Sequence, residues 1–305
     1  MDLSLIPYAL NLAAIYSLMA ISISMIWSSI GMLNLAHGAT FAVSGYAAWQ
    51  FSIIFKPIIL AFFGKTLLAN LLMGLVLISS AMVAGAIFGV LIYFLAYLPI
   101  HDKPNYPVRS LIITLAINIA TIQILLFLFG ARNKGLPKIF GFGRFEIFDI
   151  PVRYDQAGTI ISTILILSIM LSWLKFSRMG IEIRAMMQNP EGASYSGISS
   201  RTTAIPVLMI TGALAGVSAA LLSQTIFVSP TSGSIPLIKG LTIALLGGLG
   251  NVPGAMLGAV LIGFLEAVVG SIQQRYVMFS TFIFIIIVLI FRPRGIGGLL
   301  DDTRE

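Results

Sequence analysis

The sequence predicts an all-α polytopic membrane protein with about eight apolar segments, two of them interrupted by broken or re-entrant helices. Three observations carry that expectation. Hydrophobic residues fill 58% of the 305 positions and mean hydropathy is +1.01. Charged residues make up 10%, against about 25% in soluble domains, which is too few to cover a water-facing surface. The apolar residues also gather in segments approaching or exceeding the roughly 20 residues that a bilayer core requires.

The segments run over 5–30, 38–55, 66–98, 110–130, 157–176, 202–228, 237–270 and 276–291. The N-terminal MDLSLIPYALNLAA has no basic stretch and no clear small-residue cleavage site, so it reads as the start of the first span. Charged connectors lie at HDKPNYPVR (101–109), at 131–156 and at 175–201. If 101–109, 175–201 and the tail are cytoplasmic, they hold nine Lys and Arg against seven on the other side. That is a weak positive-inside bias. The chain reads as a single transmembrane domain over 1–305, with approximate halves at 1–130 and 157–292.

The segment 237–270 is the odd one. Its 34 residues would make a helix of about 51 Å, too long for one crossing of a roughly 30 Å core without severe tilt. In its middle sits GGLGNVPG (247–254), where glycines and a proline weaken and then stop a helix. Two short crossings or a re-entrant pair would put the tail on the same side as 175–201.

An earlier interruption, GMLNLAHGA (31–39), aligns with GGLGNVPGA (247–255) at an offset of 216, sharing Gly31/Gly247, Leu33/Leu249, Gly38/Gly254 and Ala39/Ala255. Paired breaks in two halves are a mark of an internal structural repeat; coincidence in a Gly- and Ala-rich chain is the alternative. Backbone freed by a break must be buried in protein or line a wet cavity. Asn34, His37, Gly38, Gly247, Gly248, Gly250, Asn251 and Gly254 are therefore the translocation-pathway candidates. The competing reading is that Asn34 and His37 only cap and pack.

Other intramembrane polar groups are Asn118, Gln123, Gln224, Lys239 and Glu266, each costly in an apolar segment. Lys239 is expected to reach the interface with its ammonium. Glu266 is expected to pair with Arg275 or Lys239, or to sit at an aqueous edge.

Several chemistries are excluded. There are no cysteines and two histidines, His37 and His101, which rules out disulfides, thiol nucleophiles and Cys- or His-rich metal centres. The net charge of +7 is spread over loops and does not indicate nucleic acid. The nearest approach to a phosphate-binding loop is Gly64-Lys65-Thr66, and the first glycine that G-x-x-x-x-G-K-[ST] requires is Ile59. A serine hydrolase reading of His37 and Ser44 fails for lack of the glycine two before the serine, and no histidine follows 101.

Four stretches taken in order resemble one family. GMLNLAHGATFAVSGYAAW (31–49), MGIEIRAMMQNPEGASYSGI (179–198), KGLTIALLGGLGNVPGAMLGAVLIGFLEA (239–267) and FRPRGIGG (291–298) resemble the permease subunits of branched-chain amino-acid ABC importers, the LivH/LivM type. The N-L-A-H-G core places the chain closer to the LivH-like half. The resemblance implies a subunit with no cofactor of its own. Its expected partners are a LivM-like second permease, two ATP-binding subunits that carry ATP and Mg, and a periplasmic solute-binding protein. The setting implied is the bacterial inner membrane, with 177–201 cytoplasmic and 131–156 periplasmic. The loop would couple to the ATPase through Gly180, Arg184, Ala185, Asn189, Glu191, Ala193 and Gly197. The residues fit such a loop. EIRAMMQN (182–189) holds good helix formers, Asn189-Pro190 breaks the helix and opens another at 191–196, and Gly197 stops it. Pro190 and Tyr195 depart from the family's usual pattern. The rival reading is a secondary transporter or channel, which needs no ATPase and gives the 179–198 loop no purpose.

Overall fold

The computed structural model describes residues 5–64, 66–141, 143–147, 150–293 and 295–297. Lys65 of the phosphate-loop near miss, and Arg294, Gly298 and Arg304 of the tail, lie outside the described residues. The first three long helices are α1 (Leu5–Ile30), α2 (His37–Phe63) and α3 (Leu67–Ile92). A π turn at Tyr93–Tyr97 extends α3 into α4 (Leu98–Ile100). After α5 (Tyr106–Phe129) a small antiparallel hairpin, β1 (Arg144–Ile147) with β2 (Ile150–Arg153), leads into α6 (Tyr154–Phe176). The connector that follows is itself helical, as α7 (Arg178–Gln188) and α8 (Pro190–Tyr195). Then come α9 (Ser200–Leu222), α10 (Ser234–Gly247), α11 (Val252–Ile272) and α12 (Val277–Phe291). Among the described residues eight helices are long and apolar enough to cross a bilayer, and α10 is a ninth, shorter apolar helix.

Burial ranks these helices. In α1, 89% of the central stretch is buried, and in α9 78%, against 39% or less in the other long helices. These two form the core, and the rest present apolar side chains outward, as lipid exposure allows. The core closes through small residues. The backbones of α3 and α9 approach so closely that a Cβ on Gly85 would stand 2.1 Å from the Gly212 carbonyl oxygen, and one on Gly216 2.1 Å from that of Ala81. Without a hydrophobic drive between helices in lipid, such contact is a main source of association.

Two expected boundaries shift, and one expected break is found. The helix from 37 runs to Phe63 rather than to 55, carrying Pro57 inside it. The segment 202–228 stops at Leu222, because Val228 exchanges backbone bonds with Lys134 (2.8 and 2.9 Å), which draws 223–233 out of helix. The long segment 237–270 divides into α10 and α11 around 248–251, with Gly248 at φ +91° and Gly250 at φ +92°, backbone that glycine adopts without strain. At 14 residues α10 is about 21 Å long, shorter than a bilayer core of roughly 30 Å.

The ends of the bundle are fixed by side-chain contacts. Arg201 bonds to both His101 (2.6 Å) and Asp102, so the 101–105 connector and the exit of the 177–200 connector share one end. At that end too, α7 packs on α1, the Gly250 N–H donates to Ser24 Oγ (2.9 Å), and the tail meets the α10–α11 turn. The hairpin, 130–143 and the start of α6 lie at the other end, together with the Val228–Lys134 bridge.

Candidate functional site

The two breaks restart their helices almost in register: α2 begins at His37 and α11 at Val252, against the 253 that the offset of 216 predicts. They are stabilised differently. In the first, Gly31 ends α1 at φ +63°. The freed backbone is taken up by α5: the Leu33 N–H donates to Ser110 Oγ (3.4 Å), the Leu35 N–H to Thr114 Oγ1 (3.1 Å), and Thr114 Oγ1 donates to the Leu33 carbonyl (3.2 Å). Asn34, 8% exposed, holds the turn by accepting from the Ala36 N–H at 3.0 Å. His37 is 1% exposed and lies 2.7 Å from Ser22 Oγ, whose hydroxyl donates to the Met19 carbonyl at 2.8 Å. Asn34 and His37 thus hold α1 and α2 together within the chain. Gly38 admits the start of α10: a Cβ there would be 3.0 Å from the Gly233 carbonyl oxygen, and one on Gly233 would be 1.9 Å from that of Gly38.

In the second break, Asn251 caps α11 by accepting from the Gly254 N–H (2.8 Å), as Asn does at helix starts. Gly247 and Gly254 press together, with a Cβ on Gly254 only 2.1 Å from the Gly247 carbonyl oxygen. The tail then closes the turn. Ile296 and Gly297 donate to the carbonyls of Leu246 (2.8 Å) and Gly247 (3.0 Å), and Asn251 Nδ2 donates to the Gly297 carbonyl (2.5 Å). Gly250 and Gly248 supply the positive φ between.

Glu266, on α11, is buried at 3% exposure. Its Oε2 accepts from Lys239 Nζ and from Tyr16 Oη, each at 2.7 Å, and its Oε1 from Thr281 Oγ1 at 3.0 Å. Lys239 also donates to Tyr16 Oη (2.7 Å), and its side chain is 13% exposed. It does not extend to the interface as expected, because the carboxylate within the bundle is a better partner for a buried ammonium than a long reach to water. The cluster ties α10 and α11 to α1 and α12.

In the 177–201 connector the candidate residues divide by direction. Gly180 lets α7 fold back on α6, since a Cβ there would stand 2.5 Å from Leu174 Cα. Arg184 Nε donates to the Leu174 carbonyl (2.9 Å) and its NH2 to that of Lys175 (3.1 Å), capping the last turn of α6. The Ala185 carbonyl accepts from the Asn189 N–H (3.0 Å), and Asn189 Oδ1 caps α8 through Gly192 N–H (3.0 Å). Ala193 is buried at 5%. Its carbonyl accepts from Ile198 N–H, and that of Ser194 from Gly197 N–H, both at 3.0 Å. With Gly197 at φ +84° this is a Schellman stop. Glu191 and Tyr195, the latter 91% exposed, point away from the bundle. Tyr195, read from the sequence as a departure, is the most prominent apolar side chain of the connector's outer surface.

The residues that sequence reasoning missed are Ser22, Ser24, Ser110, Thr114, Tyr16 and Thr281. Only the Ser110/Thr114 pair, four apart on one helix face, offered a signal. The others depend on contacts from distant helices.

A family model described as "Branched-chain amino acid transport system / permease component" matches residues 5–291. The chain is 30% identical over 301 residues to the high-affinity branched-chain amino acid transport system permease protein BraD of Pseudomonas aeruginosa, covering 95% of this chain and 93% of that protein. It is 30% identical over 295 residues to the LivH permease protein of Escherichia coli K12, covering 94% and 92%. A probable LivH of Methanocaldococcus jannaschii shares 28% over 94% of this chain and 91% of its own length. With eight membrane-length helices and a match that spans nearly the whole chain, this multi-pass membrane protein belongs to the family of branched-chain amino acid transport permease components.

Proposed function

We propose that the chain is one permease subunit of an ATP-driven importer in the cell's inner membrane, taking up branched-chain or related amino acids. The match over 5–291 to a transport permease family carries the reading, and BraD and LivH supply the substrate class by name. Hydrolysis belongs to two separate ATP-binding subunits that bind ATP and Mg. A LivM-like permease completes the passage, and a periplasmic solute-binding protein delivers solute at the 131–156 end. The 177–201 end is cytoplasmic.

The mechanism is a lever and a passage. Gly180, Arg184 and Asn189 brace α7 and α8 against α6, so displacement of the exposed Glu191–Tyr195 edge by an ATPase moves α6 and α1 with it. Ala185, Ala193 and Gly197 set the compact turns that keep the edge rigid. The two interrupted spans, at Asn34–Gly38 and Gly247–Gly254, are the points where α1–α2 and α10–α11 change packing as the passage alternates. Their polar side chains act chiefly as the joints of that movement.

Purification from native membrane should bring down an ATP-binding subunit and a second permease. In the reconstituted complex, Glu191→Lys with Tyr195→Ala should leave ATP hydrolysis running while solute uptake falls at least tenfold. Uptake by the isolated chain with no ATPase would replace this reading with a secondary transporter or channel.

A further inference from the structure

At the end of the bundle that carries the 130–153 connector, an open cleft of about 400 Å³ lies between the second half of α2 and residues 135–137. Its walls are Trp49, Ile53, Pro57, Leu136 and Pro137, and Lys56 lies among them. No carboxylate lines it. A second ammonium stands beside it, Lys134 Nζ at 4.9 Å from the Trp49 ring centroid. Ser52 is engaged locally, its hydroxyl donating to the Trp49 carbonyl at 2.7 Å. Beside the cleft α2 exposes Phe51, Ile54 and Ile58, with Phe62 beyond.

Tryptophan and lysine side by side on an apolar helix suit the headgroup level of a bilayer. There, lysines attract anionic lipids, and an apolar wall suits an acyl chain. We propose that the cleft binds one anionic glycerophospholipid: Lys56 holds its phosphate, Lys134 adds to the positive field, and an acyl chain lies along the exposed face of α2. Phosphatidylglycerol is the probe of choice, because it carries the net negative charge that two lysines select and phosphatidylcholine lacks. The site is apart from both breaks and from the coupling edge, and its occupancy depends on neither side's assignment.

The test uses the full chain in detergent with equal phosphatidylglycerol and phosphatidylcholine of matched acyl chains, read by native mass spectrometry. The chain should retain one phosphatidylglycerol in preference. Lys56→Ala should lower that retention about fivefold, the equivalent of about 1 kcal/mol for one lysine at a membrane surface. Lys103→Ala, at the opposite end, should leave it unchanged, and inorganic phosphate should not displace the lipid. A second readout is spectroscopic. With Trp27→Phe and Trp173→Phe, Trp49 is the one tryptophan left of the chain's three, and brominated phosphatidylglycerol should quench it at lower mole fraction than brominated phosphatidylcholine. Equal retention of the two lipids, retention indifferent to Lys56→Ala, or displacement by phosphate alone would each overturn the proposal. So would a cross-link from position 53 to another permease chain with no bound lipid in the assembled transporter.

Discussion

Removing the Glu266 carboxylate should be among the most destabilising single changes available in this chain. In Glu266→Ala the Lys239 ammonium, 13% exposed, loses its counter-charge at 2.7 Å, and Tyr16 and Thr281 lose an acceptor. Thr281 keeps its bond to the Val277 carbonyl (2.9 Å), so the loss falls on Lys239 and Tyr16. Breaking a buried pair by deleting one partner costs about 3–5 kcal/mol, because the remaining charge stays buried and uncompensated. Intramembrane hydrogen bonds between neutral groups average only about 0.6 kcal/mol, so the charge dominates. Replacing both ions, Lys239→Met with Glu266→Leu, removes the stranded charge and leaves chiefly the Tyr16 hydroxyl unpaired, a cost of about 1–3 kcal/mol; adding Tyr16→Phe should recover most of that. The assay is thermal unfolding of the purified chain followed by size-exclusion chromatography. At about 2–4 °C per kcal/mol for chains of 150–250 residues, Glu266→Ala should fall by roughly 6–20 °C and the double variant by clearly less. A double variant as unstable as the sum of the two single ones would refute the reasoning, since the ions would then act independently.

Gly233→Ala places a Cβ 1.9 Å from the Gly38 carbonyl oxygen and should cost at least the roughly 1–3 kcal/mol of an overpacked core, while Gly38→Ala, at 3.0 Å, should cost less; folded yield by fluorescence-detected chromatography ranks them. His37→Phe loses the Ser22 bond and should destabilise by about 1 kcal/mol, yet leave the uptake KM unchanged, because the ring is 1% exposed; a changed KM would return His37 to direct solute contact. Arg184→Ala uncaps α6 at Leu174 and Lys175, and hydrogen exchange at the α6–α7 junction should rise several-fold while the α1 core stays protected.

Much of the architecture is legible without coordinates because lipid imposes one rule on every spanning segment: backbone groups must be satisfied internally, so apolar length translates directly into helices. Local chemistry was equally readable at the 177–201 connector, where Asn189-Pro190 and Gly197 dictate a break and a stop from their own φ preferences. The division of 237–270 followed from length and four glycines. The extent of α2 beyond 55 was hidden, since Lys56 and Pro57 resemble a terminus locally but are carried by packing against α3. The retreat of 223–233 from helix was hidden too, because it depends on a backbone bridge to Lys134, far away in sequence.

Composition, segment length and breaker residues determined by themselves that this is a many-helix membrane protein with two interrupted spans and a helical connector, since each of those properties is local. Which polar groups meet was decided only by the tertiary structure. Glu266 finds Lys239 and Tyr16, His37 finds Ser22, and the tail finds the second break, through contacts between segments that sequence distance leaves unrelated. Charges and hydroxyls in an apolar bundle are satisfied by whichever partner the helix packing brings within about 3 Å, and that packing is set by the close approach of small residues on helices far apart along the chain.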